Sequence, residues 1–232
     1  MVHELAKTGI PGLDAVTGGG IPRAAIVTLS GPTGSGKTTF GMQFLVEGAS
    51  KYKEPGLFIS IEETRKGMLG NLRSYNWPFE KLEKEKKFML LDYPIYEVDQ
   101  FLSQNSAISE IVATLGIKRV VVDSIASVAL HFSNEDERKK GFLKLVDNIR
   151  KWGATTIVIS EDIPSTTQDV MPDTRYGIET LTDGWIHLYY LYSPQRKERT
   201  RAIEILKMKG VQHSSKIFPC SITAKGFIIH IK

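Results

Sequence analysis

Short apolar runs alternate along this chain with longer stretches in which apolar positions recur every three or four residues. The short runs are Ala25–Ser30, Gly56–Ile61, Phe88–Leu91, Arg119–Ser124 and Ala154–Ser160. They are dominated by Val, Ile, Leu and Phe, the pattern of strands buried on both faces. Helical patterns lie between them. Lys37–Gly48 follows the first run, and residues 64–87 read as a short helix, a turn and a charged helical face from Glu80 to Lys87. From Val98 to Leu115, Phe101, Leu102, Ile108, Ile111, Val112 and Leu115 fall at helical spacing. Asn134 followed by Glu137 is a capping box, opening a helix to Trp152 with the stripe Phe142, Leu145, Val146, Ile149 and Trp152. Strands and helices in alternation predict a parallel sheet with right-handed crossovers.

After Ser160 the rhythm changes. Residues 161–177 are polar and loop-like, and Trp185–Leu191, Ala202–Met208, Lys216–Ile222 and Phe227–Ile231 read as strands with no helices between them. Ala224-Lys225-Gly226 marks a hairpin. The expected fold is α/β, a mainly parallel central sheet flanked by helices and extended by C-terminal antiparallel strands and a hairpin. Residues 1–232 are expected to form one domain.

The first apolar run feeds Gly31-Pro32-Thr33-Gly34-Ser35-Gly36-Lys37-Thr38, which matches G-x-x-x-x-G-K-[ST] at every fixed position. A strand leading through a glycine-rich turn into a helix is the context in which that motif binds phosphate. Glycines let successive backbone N–H groups curl into one concavity, and the helix adds the positive end of its dipole. The predicted phosphate contacts are Gly31, Thr33, Gly34, Ser35, Gly36, Lys37, Thr38 and Thr39. Lys37 would reach the β- and γ-phosphates, and the Thr38 hydroxyl would ligate Mg²⁺. The alternative, a glycine-rich loop that binds nothing, fits the flanks poorly.

Two further strand ends carry acid. Glu62-Glu63 follows the run ending at Ile61, on the sheet edge where α/β proteins bind ligands, and Thr64 is placed to cap the next helix. By themselves the two carboxylates are candidate ligand-facing groups or merely solvated loop residues; alternation along a strand points them to opposite sides and favours Glu63. Asp123 closes the run Arg119–Val122, and downstream of a P-loop it reads as a Mg²⁺-holding aspartate.

Composition changes this picture little. The formal charge of +4 is mild and the basic residues form no long run, so it neither implies nor excludes nucleic acid. The single cysteine, Cys220, lies in an apolar strand and reads as a buried small residue. No stretch approaches twenty apolar residues, and Met1–Glu4 lacks the apolar core of a signal peptide. A cytoplasmic protein without membrane association is expected. The five histidines show no metal-ligand spacing.

With the P-loop stand Thr8-Gly9-Ile10-Pro11-Gly12-Leu13-Asp14 and Gly19-Gly20-Ile21-Pro22. Together these motifs resemble KaiC-like ATPases, a branch of the RecA superfamily, and the likeness continues to the C-terminus. The resemblance implies Mg²⁺-dependent hydrolysis of ATP to ADP and phosphate in a ring, expected to be a hexamer. It implies that a glutamate of the Glu62-Glu63 pair orients and deprotonates the attacking water, and that Ser160-Glu161 lies where hydrolysis is sensed. Leu206 to His213 resembles the family's K-x-R-G-x-x-H strand, in which Lys207 and the residue at 209 reach the γ-phosphate of the neighbouring subunit. Lys209 stands where the family has arginine, keeping the charge and losing the fork. Tyr176 to Gly184 also resembles the family, but Glu179-Thr180 replaces the adjacent Ser and Thr of the autophosphorylating domain. The expected output is a nucleotide-driven switch acting on a protein partner whose identity the chain does not reveal. A RadB- or RecA-like repair ATPase and an ATP-binding scaffold are the alternatives. Nucleic acid is not expected as a partner, because residues 131–137 and 161–177, which would line a pore, are rich in acid.

Overall fold

The computed structural model describes residues 4–161, 171–172 and 174–231. The expected loop at 161–177 therefore falls mostly outside the described residues. The chain opens with β1 (Leu5–Ala6), α1 (Leu13–Val16) and β2 (Ile21–Pro22), the two short strands pairing antiparallel. The alternating part follows: β3 (Ile26–Gly31), α2 (Lys37–Lys51), β4 (Gly56–Ser60), α3 (Arg65–Asn71), α4 (Phe79–Lys84) and β5 (Phe88–Asp92). Next come α5 (Val98–Ser103), α6 (Asn105–Thr114), β6 (Arg119–Asp123), α7 (Ile125–Leu130), α8 (Glu135–Lys151) and β7 (Thr155–Glu161). Finally β8 (Gly184–Ser193), β9 (Glu198–Met208), β10 (Phe218–Thr223) and β11 (Gly226–Ile229) complete one nine-stranded sheet ordered β11-β10-β9-β8-β3-β7-β6-β4-β5. From β8 to β5 neighbours run parallel; from β8 to β11 they run antiparallel.

Alternation along the central strands divides the core between the two faces. Val27, Leu29 and Val121 pack with Phe40, Phe44 and Leu45 of α2 and with Met68, Leu72 and Leu82. Ile26, Val120 and Val122 pack instead with Ile108 and Val112 of α6 and Phe142, Val146 and Ile149 of α8. Strands buried on both sides need this continuous apolar run, which is why they were legible as such.

Three local expectations are corrected. The pattern from Val98 to Leu115 is two helices, broken at Gln104, whose N–H returns to the Gln100 carbonyl while its backbone (φ −85°, ψ 20°) leaves the helix. The break lets the Gln104 side chain accept from the Tyr93 hydroxyl (3.0 Å) and Asn105 accept from the Trp152 indole (3.0 Å). Asn134 does cap α8, accepting from the Glu137 N–H at 2.9 Å, but the Glu137 carboxylate reaches the Ser133 N–H (3.2 Å), one residue before the position a capping box uses. The third late strand begins at Phe218 rather than Lys216, because the Ser214 N–H is engaged by the Val16 carbonyl and the Lys216 N–H by the Ser214 hydroxyl. Thr64 caps α3 as expected, accepting from the Gly67 N–H.

One buried cation ties the N-terminal segment to the sheet. Arg119, the first residue of β6, is 0 % exposed. Its guanidinium donates to Glu54 from Nε (2.6 Å), to the Phe44 carbonyl (2.9 Å) and the Thr8 carbonyl (3.3 Å) from Nη1, and to the Lys7 carbonyl (2.5 Å) from Nη2. The Phe44 and Tyr52 rings lie against it, 4.5 and 5.3 Å from their centroids. A buried charge is tolerable only when paired and fully hydrogen-bonded, and removing one partner strands the other. Arg119→Ala is therefore expected to cost about 3–5 kcal/mol, read as a fall in the urea midpoint; an unchanged midpoint would contradict the assignment.

Cys220 on β10 is buried, and burial pushes its thiol up to about 12. Folding thus favours the protonated thiol. That contribution is full below the ordinary thiol pKa of about 8.5 and is lost as the pH rises toward the folded value. Native protein at pH 8 should react with iodoacetamide far more slowly than protein unfolded in urea at the same pH. Equal rates would refute the burial.

Candidate nucleotide site

β3 occupies the middle of the sheet and delivers Gly31 to the edge where β4, β6 and β7 also end. Residues 32–36 turn back, and α2 begins at Lys37 behind Gly36. Gly36 has φ +103°, and a Cβ there would lie 2.5 Å from the Ile222 side chain, so the loop needs glycine at this position. Among the described residues no side chain caps α2. The N–H groups of its first turn therefore lack the acceptors that caps supply elsewhere in this chain, and they open toward a cleft of about 420 Å³. The Ser35 hydroxyl in the same loop is buried without a hydrogen-bond partner among the described residues. Unsatisfied donors at a helix N-terminus suit an anion.

Thr33, Gly34, Gly36, Lys37, Thr38 and Thr39 line the cleft from the loop side, and Glu62, Asp123, Ser124 and Glu161 from neighbouring strand ends. Lys37 Nζ donates to the loop carbonyls of Gly31 (2.8 Å) and Pro32 (3.1 Å). The Thr38 hydroxyl donates to Asp123 Oδ2 at 2.7 Å, and Thr33 to Glu161 Oε1 at 2.8 Å. Burial pushes the Asp123 carboxyl up to about 6. The Thr38 hydrogen bond and the Lys37 charge pull it down, while Glu62 and Glu63 add to the rise. A hydroxyl and a carboxylate converging at the cleft floor are hard oxygen donors of the kind Mg²⁺ takes, so Thr38 and Asp123 fit that ion.

The two adjacent glutamates part company. β4 ends at Ser60, and Ser60 Oγ donates to the Glu63 carbonyl (2.7 Å), so residues 61–63 turn rather than continue the strand. Strand alternation therefore does not govern their directions. Glu62 faces the cleft with the P-loop and Asp123. Glu63 turns into an adjoining recess with Thr38, Thr39 and Tyr75, where its Oε1 accepts from Asn71 Nδ2 at 2.6 Å.

Lys207 and Lys209 lie outside this cleft. Lys207 Nζ donates to the carbonyls of Glu179 (3.0 Å) and Thr182 (2.6 Å), and burial, with the Lys209 charge, lowers its pKa. Lys209 stands 3.5 Å from Asp183, which Arg150 also engages. A residue the sequence reading passed over does reach the cleft. Arg201 on β9 lines it and donates to the Gly34 carbonyl from Nη2 (2.9 Å) and Nε (3.3 Å). The available signal was the alternation of Arg199 and Arg201 just ahead of an apolar strand.

A P-loop at the carboxyl edge of a parallel sheet with antiparallel strands beyond β8 defines a nucleotide-binding protein of the RecA superfamily. Residues 6–232 match the family described as the KaiC ATPase, and the chain belongs to that family. The circadian clock oscillator protein KaiC of Synechococcus elongatus is 31% identical over 231 residues, covering 96% of this chain and 43% of its own length. The chain thus spans less than half of the clock proteins it matches. UPF0273 protein MJ1359 of Methanocaldococcus jannaschii is 31% identical over 238 residues, covering 97% of this chain and 95% of its own. The crystal structure of the KaiC-like protein PH0186 from Pyrococcus horikoshii superposes with a TM-score of 0.85 at 36% identity, covering 99% of this chain and all of that one. Among the described residues no helix is long and apolar enough to cross a membrane.

Proposed function

We propose that this chain is a single ATPase domain that binds ATP with Mg²⁺ in the β3–α2 cleft and hydrolyses it to ADP and phosphate. The observation that carries the reading is the meeting of the uncapped α2 N-terminus with the Thr38–Asp123 pair on one cleft floor. The N–H groups of residues 34–39 would receive the phosphates, and Lys37 would exchange its loop carbonyls for phosphate oxygens. Thr38 and Asp123 would hold the Mg²⁺, which when bound neutralises charge on the phosphates. Glu62, facing the cleft, would take the proton of the water that attacks the γ-phosphorus as the bond to the β-phosphate oxygen breaks. Glu63, bonded to Asn71, would hold the neighbouring backbone and keep a second negative charge close by. Arg201 would add positive charge from the same subunit. The family likeness supports assembly as a hexameric ring in which Lys207 and Lys209 face the neighbour's γ-phosphate, and an output as a nucleotide-driven switch on a protein partner.

Lys37→Ala is expected to abolish ATP binding. Glu62→Gln should bind ATP normally and lose about 100-fold or more in phosphate release, whereas Glu63→Gln should lose less. The reverse ranking would transfer the role to Glu63. Wild-type protein that releases no phosphate above the Lys37→Ala background would reduce the chain to a binding scaffold, and stimulation by single-stranded DNA would favour a recombination ATPase.

If the lysines act across a junction, Lys207/Lys209→Ala protein and Glu62/Glu63→Gln protein should each be nearly inactive. Mixed after demonstrated subunit exchange, they should regain part of the activity. Lys207 also holds its own chain's Glu179 and Thr182 carbonyls, so the lysine variant must first match wild type in thermal midpoint. Exchanging rings that regain nothing would remove the trans assignment.

A further inference from the structure

β3 pairs with β8 only through His187, and β10 pairs with β9 only from Arg201 onward. Beyond Arg201, toward the β8–β9 turn, the two strands form a ribbon with only each other as strand partners among the described residues; Tyr190 stands opposite Arg201 at that limit and Tyr192 opposite Arg199 past it. Directly opposed residues on one face of an antiparallel pair interact, and here guanidinium groups meet rings. The Arg201 guanidinium lies 4.5 Å from the Tyr190 centroid, and Arg199 lies 5.3 Å from Tyr190 and 5.8 Å from Tyr192. Arg199 Nη1 also donates to the Tyr190 carbonyl at 3.2 Å. The ladder ends on the P-loop. Arg201 donates to the Gly34 carbonyl, and a Cβ built at Gly34 would lie 3.2 Å from the Tyr190 ring.

We infer that Tyr190 is a positioning residue for the phosphate site, its ring face holding the Arg201 guanidinium over the P-loop at Gly34. The inference rests on the nucleotide reading above and names a residue that this reading leaves unused. Arginine has a long, rotatable stem, and without a wall its head would sample solvent. The Tyr190 ring removes that freedom on one side and the Gly34 carbonyl fixes the head on the other, so the charge is in place before a phosphate arrives. Arg199 in turn clamps Tyr190 from the ribbon side. The Tyr190 hydroxyl makes no hydrogen bond among the described residues, so the ring face, not the hydroxyl, carries the role.

The test is calorimetric titration of full-length protein with Mg·ADP and Mg·ATPγS, alongside thermal midpoints. Tyr190→Ala should weaken both nucleotides about fivefold, and Tyr190→Leu, which keeps apolar volume in the strand without a π face, should match it. Tyr190→Phe should restore wild-type affinity. In a cycle with Arg201→Ala, adding Tyr190→Leu should change affinity no further, because the ring acts through the guanidinium. Additive losses, a Phe variant as weak as Leu, or wild-type affinity in Tyr190→Leu would each overturn the inference while leaving the nucleotide site standing. Wild-type protein that binds neither nucleotide would overturn both.

Discussion

The P-loop and the acidic groups of the cleft stand at the carboxyl ends of parallel strands, and that shared direction is the constraint from which the site follows. Gly31 is in register with Glu161 across β3 and β7, and Ser60 with Asp123 across β4 and β6. Once the hydrophobic runs pair in parallel, the polar residues that terminate them are delivered together without further instruction. Right-handed crossovers supply α2 on one face and α8 on the other. The loop after β3 then has acid along its β7, β6 and β4 side and Arg201 of β9 on the other, and the Thr38–Asp123 hydrogen bond forms between residues 85 positions apart.

The same helix that presents its N-terminus to the cleft is gripped further along by Arg119. The guanidinium takes the Phe44 carbonyl inside α2 and the Lys7 and Thr8 carbonyls of the N-terminal segment, and Gly48 leaves the room, since a Cβ there would lie 2.4 Å from Arg119 Cδ. Glu54 balances the charge and also binds Arg23 at 2.8 Å. A helix whose first N–H groups are left unsatisfied for a ligand gives up capping stabilisation at that end, of order 1 kcal/mol. Here the far half of the helix is secured by packing on the sheet and by a buried, fully bonded cation. The division of labour matches what a binding site requires: unmet donors where the ligand goes and rigid support behind them.

How much of this was legible depended on how local the governing interaction is. The strands and the P-loop were readable because burial on both faces and a fixed glycine spacing are properties of a short stretch. The direction of Glu62 and Glu63 was not, because it depends on Ser60 ending β4 and binding the Glu63 carbonyl. Nor was the break at Gln104, since apolar spacing alone cannot show that Tyr93 and Trp152 wait for the side chains of Gln104 and Asn105. Arg201 is the extreme case. The Arg199/Arg201 alternation marks it only as a strand position; the β8–β9 register sets it opposite Tyr190 and over Gly34, 167 positions away.

The two late lysines show how the proposed ring sharpens a family pattern. Lys207 and Lys209 look equivalent by alternation, yet their surroundings differ. Lys207 is part-buried and donates to two carbonyls of its own chain, so transferring its charge to a neighbour's phosphate would release Glu179 and Thr182 as well. Lys209 is 60% exposed, and among the described residues its side chain has only an ion pair at 3.5 Å to Asp183, whose carboxylate Arg150 already serves. Burial pushes Asp183 up, but the hydrogen bonds from Arg150 and the Ile26 N–H and the charges of Arg150 and Lys209 hold its carboxyl below the usual range. Asp183 therefore stays ionised and bonded whether or not Lys209 leaves. On the proposed reading Lys209 reaches across a junction by giving up one exposed ion pair, whereas Lys207 must also give up its bonds to the segment 179–182. An arginine at position 209 would add a planar fork that a lysine lacks, so the reach here is that of a single point charge.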